Sequence, residues 1–394
     1  MKIGILTGGG DTSSLNAILH GAGIEAERLG HKLIGFRRGW KGVLNPTEHI
    51  ELTASGINPS QGGTTLKTSR TFLDETNIGE AAENIKKSVD SLIAIGGDDT
   101  LSAGRRLEAI LKNPDTISDS RKPEEILNIP ICFVTKTIDN DVGRNSPQNL
   151  DYGMIINYFT SGFATAARKA AQYAAELRTT SYSHERVVFL ETMGRSPGWL
   201  ALSSYAGEPD FILVPESGIR FDEFKERLAC RYKLKGNAVV VVAEGIRYDG
   251  SSSPVCEQAA ESDAFGHRKL GGAAEALARR IKKELKIENV NYVNPNYLYR
   301  CGSPSDLDRE TAIMLGKTAV DAVNKQQHGM AAVLRREAGR IFAEAIEVDK
   351  TVLVDAAGAI IPRNLDPRFY DVCNYSITPE GKEYFRPIFN GWRK

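Results

Sequence analysis

Short apolar runs rich in Val and Ile recur along this chain, separated by longer stretches of helical periodicity, and no other feature limits the fold so tightly. Strands are expected at Lys2–Thr7, Lys32–Phe36, Ser91–Ile95, Ile129–Thr135, Arg186–Glu191, Phe211–Val214, Ala238–Ala243 and Val290–Tyr297. Several, such as AVVVVA at Ala238–Ala243, are apolar almost throughout, as expected of parallel strands covered on both faces. Helical patterns lie between them at about 14–29, 79–89, 100–113, 147–178, 222–234, 270–286 and 305–326. This alternation implies right-handed βαβ units and a doubly wound α/β architecture with largely parallel sheets. In such sheets ligands sit beyond the carboxyl ends of the strands, so the residues following each strand are the ones to read for chemistry. The stretch from about 113 to 128, with Pro114, Pro123 and many charges, reads as a surface loop.

A chain of 394 residues with 41% hydrophobic content can bury a large core, enough for two lobes. Lys+Arg and Asp+Glu both total 50, so the formal net charge is zero. That balance argues against bulk attraction to nucleic acid or a membrane surface, while leaving room for a local basic pocket. Cys132, Cys230, Cys256, Cys301 and Cys373 are scattered with no CxxC spacing, which reads as reduced thiols. Met1–Leu6 runs straight into a strand pattern without signal-peptide architecture, and no stretch approaches the ~18 apolar residues of a spanning helix. The expected location is the cytoplasm.

Several strand ends and one glycine-rich loop carry chemistry. After the first strand comes Gly8-Gly9-Gly10-Asp11-Thr12-Ser13-Ser14, where glycines let backbone N–H groups approach an anion and a helix N-terminus follows. A tight βα turn capped by Asp11 or Ser13 explains the same residues. The run is neither a Walker A loop nor a GxGxxG. Gly62-Gly63-Thr64-Thr65 precedes Lys67, Thr68, Ser69 and Arg70, placing cations and hydroxyls after a flexible turn; an exposed loop is the plain alternative, but an Arg fork suits phosphate. Ser91–Ile95 leads into Gly96-Gly97-Asp98-Asp99-Thr100, whose adjacent carboxylates either cap a helix or help hold Mg2+. Lys136-Thr137-Ile138-Asp139-Asn140-Asp141 is the strongest element, with a cation, a hydroxyl and two carboxylates directly after a buried strand. Phosphoryl transfer from a polyphosphate to an alcohol needs such a set: Asp139 fits the base and Lys136 the charge neutraliser. Further on, Arg186, Met193-Gly194-Arg195, Glu244-Gly245, Tyr297 and Arg300 lie near strand ends, a set suited to a substrate with hydroxyls and a phosphate.

Taken together, GGGD (8–11), GGT (62–64), GGDD (96–99), TIDND (137–141), MGR (193–195), AEG (243–245) and the Tyr297/Arg300 region resemble the phosphofructokinase family in order and approximate spacing, from Gly8 to about His328. TIDND followed by MGR is specific; GGDD alone is not, since similar GGDGT motifs occur in NAD kinases and lipid kinases. The resemblance implies two doubly wound lobes with the active site in the cleft between them: a phosphoryl-donor lobe of 1–150 plus about 300–345, and a sugar-phosphate acceptor lobe of 151–299 plus about 346–394. It implies that Gly9 and Arg70 contact the donor's phosphates and that Asp98 is the Mg2+ ligand. Asp139 resembles the base for the sugar's C1 hydroxyl, with Thr137 and Asp141 as its neighbours, and Arg195 resembles the residue that stabilises the transferring group. Met193, Gly194 and Glu244 look like sugar contacts. Arg186, Tyr297 and Arg300 resemble the surroundings of the acceptor's phosphate, with Arg186 supplied by a neighbouring subunit, hence a homodimer or homotetramer.

ATP-dependent relatives usually have Gly where this chain has Asp99 and Lys136, and pyrophosphate-dependent relatives resemble this chain at both. A carboxylate at 99 would repel an α-phosphate, while an ammonium at 136 would compensate the extra charge of free pyrophosphate. Charges ~4 Å apart interact by a few kcal/mol at a surface-like dielectric, enough to select a donor. The expectation is therefore Mg2+-dependent, reversible phosphorylation of fructose 6-phosphate by pyrophosphate, in glycolysis or gluconeogenesis. Three departures keep alternatives open. Ser13-Ser14 stand where relatives usually have Pro-Gly, Ser196-Pro197 follow MGR where His is common, and Asn291 replaces an expected arginine. The alternatives are ATP as donor, another acceptor such as sedoheptulose 7-phosphate, and a catalytically silent sugar-phosphate-binding regulator. A Rossmann dehydrogenase is disfavoured because no GxGxxG with a downstream acid follows the first strand.

Overall fold

Where apolar residues run continuously the chain forms buried strands, and where they recur with helical spacing it forms covering helices. The computed structural model describes residues 1–394 except 46, 114–127, 148, 256, 263–267, 357–358 and 391–394. The loop expected at about 113–128 lies almost wholly outside the described residues. The order of elements begins β1 (Lys2–Thr7), α1 (Leu15–Arg28), β2 (Lys32–Phe36), α2 (Trp40–Leu44), β3 (His49–Leu52), α3 (Ile78–Ser88), β4 (Ser91–Gly96), α4 (Asp98–Lys112) and β5 (Ile131–Thr137). It continues with β6 (Ser161–Gly162), α5 (Phe163–Ser183), β7 (Val187–Thr192), α6 (Trp199–Ser203), β8 (Phe211–Leu213), α7 (Phe221–Lys235), β9 (Ala238–Ala243), β10 (Glu257–Ser262), β11 (Arg268–Leu270), α8 (Ala273–Leu285) and β12 (Val290–Val293). It then passes through α9 (Asp306–Asn324), β13 (Met330–Glu337), β14 (Arg340–Glu347), α10 (Val348–Thr351), four two-residue strands β15 (Leu353–Val354), β16 (Ile360–Ile361), β17 (Tyr370–Asp371) and β18 (Ser376–Ile377), and α11 (Pro379–Phe389).

The chain divides into two compact units. The first comprises Met1–Thr137, Val142–Gly162 and Arg300–Pro362, and the second Ile138–Asp141, Phe163–Tyr299 and Arg363–Lys394. The return into the first unit therefore runs to Pro362, past the expected end near 345, and four residues of the TIDND motif stand with the second unit.

The first unit holds the sheet β14-β13-β5-β4-β1-β2-β3, with β6 paired to β5. Pairing is parallel from β13 through β2, and antiparallel where β14 and β3 are added at the edges. From β1 the chain moves to β2 on one side and then to β4 on the other. The carboxyl ends of β1 and β4 thus flank a topological switch point, where open α/β sheets bind ligands. α1 and α9 approach at backbone distance: a Cβ on Gly21 would lie 2.2 Å from the Ile313 carbonyl oxygen, and one on Gly316 2.1 Å from that of Ile18. The second unit holds the all-parallel sheet β12-β7-β9-β8. Its central strands β7 and β9 are buried along their whole length, as the AVVVVA run demands.

Some expected elements differ. The helical pattern at 147–178 becomes irregular chain until α5 begins at Phe163. Asn157 (φ +59°) and Gly162 (φ +100°) take left-handed conformations there, and buried Asn157 donates to the Val142 carbonyl at 2.6 Å, a side-chain alternative that competes with helix. β12 stops at Val293 rather than Tyr297, because the Asn294 side chain accepts from the Asn296 amide at 2.9 Å and turns the chain. Among the described residues no helix is long and apolar enough to cross a membrane.

Candidate active site

In the first unit three strand ends converge on a pair of glycine loops. β1 ends at Thr7, and the Gly8 amide donates to the Ile95 carbonyl of β4 at 2.9 Å, tying the two loops together. There is no room for side chains here. A Cβ on Gly8 would meet Thr100 Oγ1 at 2.5 Å, and one on Gly96 would meet the same oxygen at 2.3 Å. Gly9 adopts φ +75°. Its amide donates to the Ser69 carbonyl at 3.2 Å, and its carbonyl accepts from Thr68 Oγ1 at 2.7 Å. The Gly9 loop is thus fastened to the 68–69 segment through both its amide and its carbonyl. The same bonds set Arg70, exposed, directly after the residue that binds Gly9.

The 62–70 segment is fastened to the start of α1. The Gly63 amide donates to the Thr12 carbonyl at 3.1 Å, the Asn16 amide to the Gly63 carbonyl at 3.2 Å, and the Thr65 amide to Asn16 Oδ1 at 2.7 Å. Where relatives usually have Pro-Gly, the Ser14 hydroxyl instead pairs with Ser161 Oγ at 2.8 Å and Thr12 Oγ1 at 3.3 Å.

Asp98 and Asp99 form the first turn of α4, half-buried, and the helix dipole favours carboxylates there. Lys136 sits inside β5, opposite Ser161 of β6, rather than in a loop after the strand. It is only 3% exposed, and its ammonium donates to the Gly10 carbonyl. A Cβ on Gly9 would lie 3.8 Å from Lys136 Nζ, and one on Gly97 3.6 Å from the Lys136 carbonyl. Arg300, expected among the acceptor residues, belongs to this unit. Its guanidinium lies over Gly10, where a Cβ would come within 2.1 Å of Nη1. Thr137 closes β5, its carbonyl accepting from Thr160 Oγ1 at 2.7 Å.

The second unit gathers carboxylates at the carboxyl ends of β7 and β9. Glu244 follows β9, and its Oε1 accepts from the amides of Gly194 at 3.1 Å and Arg195 at 2.9 Å. That clamp holds the Met193–Arg195 turn, in which Gly194 (φ +139°) and Arg195 (φ +51°) are both left-handed. A Cβ on Gly245 would strike the Arg195 carbonyl at 2.1 Å. Glu244 keeps a little of its surface in solvent, yet protein surrounds the carboxylate. That desolvation, with smaller contributions from Asp139 and Glu191, pushes its pKa up to about 7 against the pull of the two amides. Asp139 and Asp141 are 7% and 5% exposed, and Asn140 between them is fully buried with φ +58°.

Arg186 stands apart, and Tyr297 lies on the surface. Arg186 precedes β7, at the end opposite the Met193–Arg195 turn. Six residues of strand separate them, roughly 20 Å at ~3.3 Å per residue. Tyr297 is 65% exposed, whereas Tyr299 is the buried tyrosine, donating to the Glu191 carbonyl at 3.0 Å.

Sequence reading missed Glu191, Arg363 and Tyr384. Glu191 is the penultimate residue of β7, and its carboxylate accepts from the amides of Gly272 at 3.0 Å and Ala274 at 2.9 Å and from Asn294 Nδ2 at 2.7 Å, anchoring the start of α8. An acid closing the run VVFLE was the available signal. Arg363 is 4% exposed; its Nε and Nη2 donate to the Asn140 carbonyl at 3.0 and 2.8 Å and Nη2 to Asn140 Oδ1 at 2.6 Å. Asn140 Nδ2 in turn donates to Tyr384 Oη at 2.9 Å. A single arginine after a proline carries no such signal.

Glycine loops at a switch point with a buried lysine in the first unit, and paired carboxylates with a carboxylate-clamped turn in the second, suit phosphoryl-transfer chemistry in an α/β protein. The family model described as phosphofructokinase matches residues 2–323. The chain belongs to the phosphofructokinase family and is a phosphotransferase. It is 35% identical over 377 residues to a pyrophosphate–fructose 6-phosphate 1-phosphotransferase of Dictyoglomus thermophilum, covering 94% of this chain and 97% of that one. It is 33% identical over 364 residues to ATP-dependent 6-phosphofructokinase 3 of Streptomyces coelicolor, covering 89% and 96%. The fold matches the crystal structure of a pyrophosphate-dependent phosphofructokinase from Marinobacter aquaeolei with a TM-score of 0.77 at 20% identity, over 98% of this chain and 91% of that one.

Proposed function

We propose that this phosphotransferase moves a phosphoryl group reversibly from inorganic pyrophosphate to the C1 hydroxyl of fructose 6-phosphate, giving fructose 1,6-bisphosphate and phosphate. The observation that carries the donor assignment is Lys136: a buried ammonium on the Gly10 carbonyl, beside the glycine loop. There it neutralises the terminus that pyrophosphate has and an inner phosphate of ATP lacks. Asp99, in the first turn of α4, adds a negative charge against an α-phosphate.

In this reading Asp139 takes the proton of the C1 hydroxyl as the C1 oxygen bonds to the terminal phosphorus and the bridging P–O bond breaks, releasing phosphate. Arg195 and Lys136 neutralise charge on the transferring and leaving groups, where preorganised cations act most strongly. Arg70 holds donor oxygens. Thr137, Asp141, Met193 and Gly194 shape the acceptor's surroundings, and Glu244, near half-protonation at neutral pH, both accepts from and donates to sugar hydroxyls.

Among the described residues no group of three or more His, Cys, Asp or Glu side chains forms a cage for a metal. A hard carboxylate at Asp98 fits Mg2+, which is commonly held by one or two carboxylates plus phosphate oxygens. Mg2+ bound there would offset charge on the donor's phosphates. The acceptor's phosphate falls to Arg300 and Tyr297 with Arg186 of a second copy, because Arg186 stands at the wrong end of its own β7. The exposed Tyr292, Val293, Tyr297 and Leu298 along the edge strand β12 and its following turn support such a homo-oligomer.

Turnover of fructose 6-phosphate with Mg2+ and either pyrophosphate or ATP as sole donor tests this reading. Activity with pyrophosphate and none with ATP is expected. ATP-only activity would overturn the donor assignment, and activity only with sedoheptulose 7-phosphate would move the acceptor.

A further inference from the structure

Arg363 lies beyond the stretch that the family model matches. It nevertheless braces the turn between Asp139 and Asp141. Asn140 at the centre of that turn is fully buried and left-handed, a conformation that Asn tolerates but that its surroundings must hold. Its side chain and carbonyl are satisfied from the C-terminal segment. The Arg363 fork takes the carbonyl and Oδ1, and Tyr384 Oη takes Nδ2. The Arg363 amide adds a bond to the Asp141 carbonyl at 2.6 Å. Asn140 and Asp141, the two residues that follow Asp139, are therefore both tied to one arginine.

That arginine is itself held rigid. Its carbonyl accepts from Trp199 Nε1 at 3.1 Å, and its guanidinium lies 4.9 Å from the centre of the Trp199 ring. Trp199 packs with Tyr384 at 5.1 Å and Phe369 at 6.0 Å, and all three rings are buried. A planar fork holds a carbonyl and an amide oxygen together in fixed geometry, which the single nitrogen of an ammonium reproduces only in part.

We propose that Arg363, with Tyr384, is a positioning residue for the reaction: it locks the Asn140 turn and thereby sets Asp139, the base in the reading above, on which this inference rests. Removing the fork takes away the donors it gives to two buried acceptors, and the turn rearranges in response. A displacement of about 1 Å in a reacting group costs on the order of 100-fold in rate.

The test compares wild type, Arg363→Met, Arg363→Lys and Tyr384→Phe in two ways. Steady-state kinetics with pyrophosphate and fructose 6-phosphate give kcat and KM separately, and hydrogen exchange follows the backbone segment 138–141 without any need for turnover. For Arg363→Met, kcat falls roughly 10- to 100-fold with both KM values within about twofold of wild type. Exchange at 138–141 accelerates about 10-fold or more while β7 and β9 stay protected. Arg363→Lys recovers part of kcat, and Tyr384→Phe shows a loss of several-fold. If Arg363→Met does not fold, Tyr384→Phe is read by the same criteria. A folded variant with kcat and exchange at 138–141 both unchanged overturns the proposal, as does a Lys variant no better than Met. If wild type is inactive with every donor, the reaction reading fails, and the exchange measurement alone decides whether Arg363 locks the turn.

Discussion

At the residue scale, Glu244 shows how a clamp and a site share one carboxylate. Its pKa is raised from 4.5 to about 7, chiefly by desolvation. Between those values the folded protein binds more protons than the unfolded chain, so stability falls as pH rises through this window and levels off above it. The whole effect amounts to about 3 kcal/mol at most, at 1.36 kcal/mol per pKa unit. Urea unfolding at pH 5 and pH 8 checks it: Glu244→Gln, which stays neutral, loses less stability than wild type over that interval. Equal pH dependence in the two proteins would mean that Glu244 is not the titrating group. Gly10 makes a second case. The three atoms nearest a methyl there all belong to the far end of the Arg300 side chain. Gly10→Ala should therefore keep an unfolding free energy, from urea titration, within about 1 kcal/mol of wild type and lose most of its kcat. Asp99→Gly should gain measurable ATP-dependent turnover, and its failure to do so would weaken the electrostatic account of donor choice.

At the scale of elements, α1 and α9 meet through Gly21 and Gly316 at distances no side chain can share. Gly316→Ala forces the helices apart, at a cost of about 1–3 kcal/mol typical of overpacking. The check is a lowered urea midpoint with near-normal activity per folded molecule. The strands of both sheets were largely legible in the sequence, because a strand buried on both faces announces itself as an apolar run. The β13–β14 hairpin was not. Its turn is Ala338-Gly339, both with positive φ, a weaker signal than the Asn-Gly that such turns favour. α5 was placed too early, since the pattern at 147–162 is overridden by Asn157 and Gly162. β5 was ended too soon at Thr135, because Lys136 interrupts an apolar pattern yet is buried by its bond to Gly10.

For the whole molecule, the proposed second copy can be tested by complementation. Arg186→Ala and Asp139→Ala, each inactive alone, should regain a fraction of wild-type turnover when mixed under conditions that exchange subunits. No recovery, with exchange demonstrated, would confine every site residue to one chain. By itself the sequence determined the α/β class, the glycine loops and the order of motifs that carries the family, since these follow from local periodicity and short spacings. Only the tertiary structure decided that Arg300 joins the Gly10 loop, that Arg186 stands at the end of β7 opposite the Met193–Arg195 turn, and that Arg363 reaches Asn140 across 223 residues of chain. Periodicity reports which face of an element is buried. It carries no record of which distant donor will satisfy a buried acceptor, because that pairing is made only when the chain closes on itself and water is excluded.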